Sequence, residues 1–232
     1  MMKYRFLSLL LFLSLAVPCG AARNDKPYFC ITPGTVLYLE RYSAGKHKLI
    51  QTTTIEIESV ESSGSGKKVN YTLMMRKGNG SPMYGDKAHL SIKVDSNSDF
   101  WMDIGVSARE LMKGVLKTDN VSSTGTLALT PGDMAPGDVL PDSHSVVTAL
   151  GMKYNIDVTN RTVLRRDRLT TPCGTFDCVV VREYKAEVGP GRNKCEWSEN
   201  WYVRGYGYVR HDVFDKNGKL KASETLVRVL EK

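Results

Sequence analysis

Ala88-His89-Leu90-Ser91-Ile92-Lys93-Val94 sets an apolar side chain at every second position, and Val69-Asn70-Tyr71-Thr72-Leu73-Met74-Met75 does the same one segment earlier. Successive side chains of a strand point to opposite faces, so a period of two makes a pleated strand with a greasy side and a wet side. An amphipathic helix needs a period of about 3.6 residues instead. The alternation recurs in Phe176, Cys178 and Val180 and in Trp197, Trp201 and Val203, with Gly189-Pro190-Gly191 as the turn between them. Asp215-Lys216-Asn217-Gly218 separates 206–214 from 220–230, and Asn-Gly accepts the positive φ of a tight hairpin. Upstream, 35–42, 49–60 and 69–76 form a meander through turns at Ala44-Gly45 and Ser62-Ser63-Gly64-Ser65-Gly66. Further strands are predicted at 99–103, 125–129, 146–149, 154–159 and 162–169. The chain therefore reads as all-β and mainly antiparallel, an open or half β-barrel of about a dozen strands.

One segment departs from this period. Ser107-Ala108-Arg109-Glu110 has the spacing of a capping box, and Val106, Leu111, Met112, Val115 and Leu116 recur at helical intervals. A short helix over 107–117 is expected, its apolar stripe covering an open part of the sheet.

Lys3 and Arg5 precede an apolar run of twelve residues from Phe6 to Val17, followed by the small residues Gly20, Ala21 and Ala22. This is the pattern of a secretory signal peptide, residues 1–22, cleaved after Ala22. The run is shorter than the roughly twenty residues of a spanning helix, and no comparable run follows, so no membrane span is expected. Cys19 closes the run and could carry a lipid anchor, but Pro18 before it disfavours lipoprotein processing. The remainder, 23–232, reads as a single antiparallel β domain of a periplasmic or secreted protein, without an interdomain linker or a repeat.

Loss of the leader removes Lys3 and Arg5, leaving 30 of the 32 Lys and Arg against 25 Asp and Glu. The cations are scattered, and Arg165, Arg166 and Arg168 are interrupted by Asp167, so a nucleic-acid stripe is not expected. Cys30, Cys173, Cys178 and Cys195 remain as disulfide candidates in an oxidising compartment. With no Cys-x-x-Cys pair and no His at ligand spacing, a metal site is not expected, and nothing calls for a cofactor.

His47, His89, His144 and His211 are isolated, and no nucleophile elbow, phosphate loop or dinucleotide fingerprint occurs. Glu196 and Glu199 differ by an odd number of residues, so they face opposite sides of a strand and cannot flank one glycosidic bond. No catalytic residue is assigned. Trp101, Trp197, Trp201, Tyr206 and Tyr208 supply most of the large aromatic surface; they serve as core, or they line the concave side of the sheet as an apolar ligand face.

Several motifs together carry a resemblance. Pro27-Tyr28-Phe29 and Pro33-Gly34-Thr35 precede the first strand; Gly137-Asp138-Val139-Leu140-Pro141-Asp142 lies mid-chain; Thr171-Pro172-Cys173-Gly174-Thr175-Phe176-Asp177-Cys178 and Trp201-Tyr202-Val203-Arg204-Gly205-Tyr206-Gly207-Tyr208-Val209-Arg210 follow, with Asp215-Lys216-Asn217-Gly218-Lys219-Leu220 near the end. Over essentially the whole mature chain these segments resemble the TapB-like exported proteins of Bacteroides-type bacteria, related to domain-of-unknown-function family 3108. The resemblance implies an antiparallel open barrel in the cell envelope with no assigned activity. Members often carry a small residue such as Ala where this chain has Cys173, which implies a bridge particular to this protein. The expectation is a non-enzymatic envelope protein binding an apolar or lipid-like ligand, or docking on an envelope partner; an uncharacterised hydrolase and a structural or adhesin-like module are the alternatives.

Overall fold

The computed structural model describes residues 26–231; the expected signal peptide, 1–22, and Cys19 lie outside the described residues. In chain order the elements are β1 (Val36–Ser43), β2 (Leu49–Ser63), β3 (Gly66–Lys77), β4 (Ala88–Val94), β5 (Phe100–Met102), α1 (Ile104–Leu116), β6 (Val121–Gly125), β7 (Ala128–Thr130), β8 (Ser143–Ala149), β9 (Met152–Thr171), β10 (Gly174–Gly189), β11 (Arg192–Val203), β12 (Gly207–Phe214) and β13 (Leu220–Leu230). They form one 13-stranded sheet in the order β6-β8-β9-β10-β11-β12-β13-β1-β2-β3-β4-β5-β7, every neighbouring pair antiparallel. This is the open antiparallel barrel expected from the alternation. Strand β4 is its plainest instance, buried at Ala88, Leu90, Ile92 and Val94 and exposed at each residue between.

The two edge strands, β6 and β7, are consecutive in the chain and joined by Thr126 and Leu127 alone. So short a link spans at most roughly 11 Å. The sheet must therefore curl until its edges nearly meet, yet no ladder joins them. Helix α1 occupies the slit: Ser107 comes within hydrogen-bonding reach of the Tyr71 hydroxyl on β3, and Gly105 lies against Ser145 of β8. Ile104, Ala108 and Met112 pack on a small cluster of Val121, Val147, Ala149 and Ile156.

The main core lies on the inner face, where Leu37, Leu39, Ile57, Val69, Ile92 and Leu226 are all but inaccessible. One end of the curl is sealed by the segment ahead of β1. The Phe29 ring lies 5.3 Å from that of Tyr71 and 5.7 Å from that of Phe100, and Tyr28 sits beneath the Arg204 guanidinium at 4.6 Å. Met134, from the loop after β7, is fully buried in the same core.

Three expectations are corrected. The helix begins a turn earlier than 107: Asp103 is its N-cap, accepting from the Val106 amide at 2.8 Å, while Ser107 turns back to the Asp103 carbonyl. The strand expected at 125–129 is instead the crossing from edge β6 to edge β7. Among the described residues the expected disulfides are absent; Cys30, Cys173, Cys178 and Cys195 are free thiols. Cys195 stands opposite Ala186, roughly 26 Å along β10 from Cys178, and burial raises the Cys178 thiol to about 11.

Candidate functional site

Residues directly opposite one another on neighbouring strands share a face. By that rule one register line on the inner face runs Gln51 (β2), Arg41 (β1), Glu224 (β13), His211 (β12), Asn200 (β11). The line continues through Val181 and Val163 on β10 and β9. Toward the plugged end the inner face is apolar; at this line it becomes polar.

Glu224 is 2% exposed. Its Oε1 accepts from the Thr53 hydroxyl at 2.6 Å and from Gln51 Nε2 at 3.3 Å, and Oε2 faces Tyr208 OH at 3.5 Å and Arg41 Nη2 at 3.7 Å. Burial raises the Tyr208 hydroxyl well above its ordinary pKa, and the Glu224 carboxylate adds to the effect. His211 Nδ1 lies 2.6 Å from Asn200 Oδ1. Burial, and then the charges of Arg41, Lys185 and Lys194, lower the His211 pKa to about 3, so the ring is neutral and its Nδ1–H donates to Asn200. That bond occupies the Asn200 oxygen and leaves the amide nitrogen: Asn200 Nδ2 and Arg41 Nε are buried with no hydrogen-bond partner.

Farther from the plug the same face carries Lys185 opposite Glu196 and Glu187 opposite Lys194. Lys185 Nζ lies 2.8 Å from Glu187 and Lys194 Nζ 2.6 Å from Glu196, while Arg192 also bonds Glu187. Burial alone would raise the Glu187 pKa, but Lys185 and Arg192 outweigh it and bring it to about 2. The Lys185 and Lys194 side chains are 38% and 40% exposed. The inner face thus grades from a filled apolar end, through the buried line at Glu224, to a charged mouth open to solvent.

The five aromatics proposed from the sequence are not brought together. Trp197 and Trp201 share a face, as their parity requires, but it is the outer one. Trp201 lies between the Arg210 and Arg165 guanidinium groups at 5.0 and 5.7 Å, and Trp197 lies under Arg182 at 4.7 Å. Trp101 pairs with Lys93 and Leu129, opposite in direction to Phe100 and Met102. Tyr206, in the turn after β11, stands edge-on to Phe176 at 5.5 Å, where both border a cleft of about 460 Å³ with Pro172, Cys173 and Val229. Tyr208 alone of the five reaches the inner face, beside Glu224. Stacked arginines cover the outer indoles, so aromatic alternation there does not mark an interior.

Glu196 faces inward to Lys194 and Glu199 outward to Arg165, on opposite sides as their odd spacing demands. His144 and His89 pair at the surface with Asp157 and Glu58, and His47 stacks on Tyr42. Among the described residues no group of three or more His, Cys, Asp or Glu side chains is arranged to hold a metal ion. No helix among them is long and apolar enough to cross a membrane.

The sequence alone does not single out Glu224, Asn200, Arg41 or Gln51, and it presents His211 as one of four isolated histidines, whereas the structure buries that ring between Asn200 and Glu224. A signal existed for Glu224, which falls between Ala222 and Leu226 on the apolar parity of β13.

A candidate exported protein with YmcC-like fold from Bacteroides fragilis NCTC 9343 superposes with a TM-score of 0.72 at 19% identity, over 89% of this chain and 100% of that one. A candidate lipoprotein from Parabacteroides distasonis ATCC 8503 does so with the same TM-score of 0.72 at 22% identity and the same coverage, 89% and 100%. At such identities these likenesses establish the fold. No curated protein matches the chain. The DUF3108-like family matches residues 32–226, nearly the whole sheet from just ahead of β1 into β13, and the chain belongs to that family.

Proposed function

We propose that this chain is an exported, non-enzymatic binding protein of the cell envelope that receives the polar part of a ligand in the mouth of its curled sheet. The observation that carries the reading is the buried register line itself. Five polar side chains from five strands converge on the inner face, two of their donors unpartnered, where a sheet built for stability alone would place aliphatic groups. The apolar end offers no comparable room, because Phe29 and Met134 occupy it. A lipid-like ligand would therefore enter by its head group, with its tail left outside.

The hydrolase alternative has less support. His211 and Glu224 sit on neighbouring strands, but the His211 hydrogen bond goes to Asn200, and its protonation is opposed by burial and three cations. A general base needs a pKa near the working pH.

Native mass spectrometry of the protein isolated gently from its own envelope tests the reading. The expected result is a bound species, recoverable by extraction, whose occupancy falls in the Asn200→Asp and Glu224→Gln variants. Bare polypeptide from repeated gentle preparations would overturn it.

A further inference from the structure

Resting on that reading, we infer that the mouth binds a single anionic oxygen group, a carboxylate or a phosphate, seated over His211 between Asn200 Nδ2 and Arg41 Nε. Three observations converge. The first is the pair of buried N–H donors, which only an acceptor can satisfy; leaving a buried donor unpaired costs about 1–3 kcal/mol. Asn200 is 3% exposed, and its oxygen is already committed to His211, so its buried amide nitrogen is left as a free donor.

The second is the charge balance of the inner face. Arg41 is matched by Glu224, Arg161 by Glu183 and Lys194 by Glu196, but Glu187 is shared by Lys185 and Arg192. Among these ion pairs one cation is left without its own carboxylate. The third is the local field: Arg41, Lys185 and Lys194 all act on His211 in the same sense. Glu224 is held by Thr53 and Gln51 on its other oxygen, which leaves Arg41 only loosely engaged at 3.7 Å. A bidentate anion would draw charge-assisted bonds from both free donors.

The test uses the full mature chain in a medium free of competing anions, titrated calorimetrically with acetate, with inorganic phosphate and with neutral methyl glucoside, while the Asn200 side-chain amide is followed by NMR. Asn200→Asp keeps the size but replaces the donor by a carboxylate; Arg41→Lys keeps the charge but removes Nε. Saturable binding of acetate or phosphate is expected, with displacement of the Asn200 resonance, a loss of tenfold or more in Asn200→Asp and about threefold in Arg41→Lys. The ratio of the two affinities assigns carboxylate or phosphate. Affinity unchanged in both variants would place the anion elsewhere and overturn the inference. If the glucoside alone moves the Asn200 resonance, the anion chemistry is wrong and the binding reading stands. If none of the three ligands moves it, both are wrong.

Discussion

Glu224 carries a charge into the interior, and its neighbours decide whether that is tolerable. The Thr53 hydroxyl at 2.6 Å and the Gln51 amide at 3.3 Å replace lost water, and Arg41 supplies the opposite charge. Replacing Glu224 by Leu strands Arg41 with no counter-charge, and urea denaturation should show a loss of about 3–5 kcal/mol. Glu224→Gln, which keeps an acceptor for Thr53, should lose about 1 kcal/mol. His211 sets a pH dependence. Its folded pKa of about 3 lies below the ordinary 6.5, so its contribution to stability is complete above 6.5 and is lost as pH falls toward 3. Between pH 7.5 and 5 the loss is about 2 kcal/mol, a window that lies above the unfolded carboxylate range in which Glu187 would contribute. His211→Gln should flatten the stability profile in that window; an unchanged slope would show that the ring is not held neutral. Of these residues only Glu224 was legible, from the parity of Ala222 and Leu226. Asn200 and Ser198 have the parity opposite to Trp197 and Trp201, and an indole outranks an amide as a marker of the inside until the arginines that cover it are seen.

Elements were legible where their punctuation is local. The Asn217-Gly218 turn stands as read, Gly218 taking φ 77°, and β4 and β13 have the expected limits. Strand β9 was read as two segments because Asn160, at φ 53°, and the register shifts opposite Val180–Val181 and Arg182–Tyr184 interrupt its alternation without ending it. The crossing at 125–129 was read as a strand because two short edge strands joined by two residues keep the same polarity pattern as one. In α1 the capping-box spacing at Ser107 competed with Asp103, and the carboxylate won because it reaches the Val106 amide. Asp103→Ala should therefore destabilise by about 1 kcal/mol, with faster amide exchange in the first turn of α1. Gly114, inside the helix, invites replacement by Ala, which in an exposed helix would gain about 1 kcal/mol. Here a Cβ would come 2.0 Å from the Tyr84 carbonyl oxygen, and Gly85 also lies against it. Gly114→Ala should instead lower stability by about 1–3 kcal/mol and loosen both α1 and the loop at 78–87 in hydrogen exchange. A stabilised variant would mean that the loop yields and does not hold the helix.

At the scale of the whole molecule, alternation specified a curved sheet but not which of its faces is the interior, since both faces of β10 are buried from Cys178 to Val181. What settles the inside is long-range: consecutive edge strands force the curl, α1 enters the slit, and the segment at 27–30 closes one end. Of these only α1 has a periodic signature, in the helical spacing of Val106, Leu111 and Met112; the edge crossing has none, and Pro27-Tyr28-Phe29 shows only as part of a resemblance. The division of the inner face into a filled apolar end and a polar mouth depends most on Phe29, which touches β3 through Tyr71 and β5 through Phe100 and so ties the start of the chain to strands near the open edge. Phe29→Ala should cost about 3–5 kcal/mol, since neighbours drawn from separate strands cannot collapse into the space. The same variant should acquire a dry cavity that binds a small apolar probe such as benzene or xenon, while the parent protein does not. Calorimetry and probe titration on the two proteins check this together. Probe binding to the parent protein would mean that the apolar end is open as it stands, and the ligand chemistry would then have to be sought there instead of at the Glu224 line.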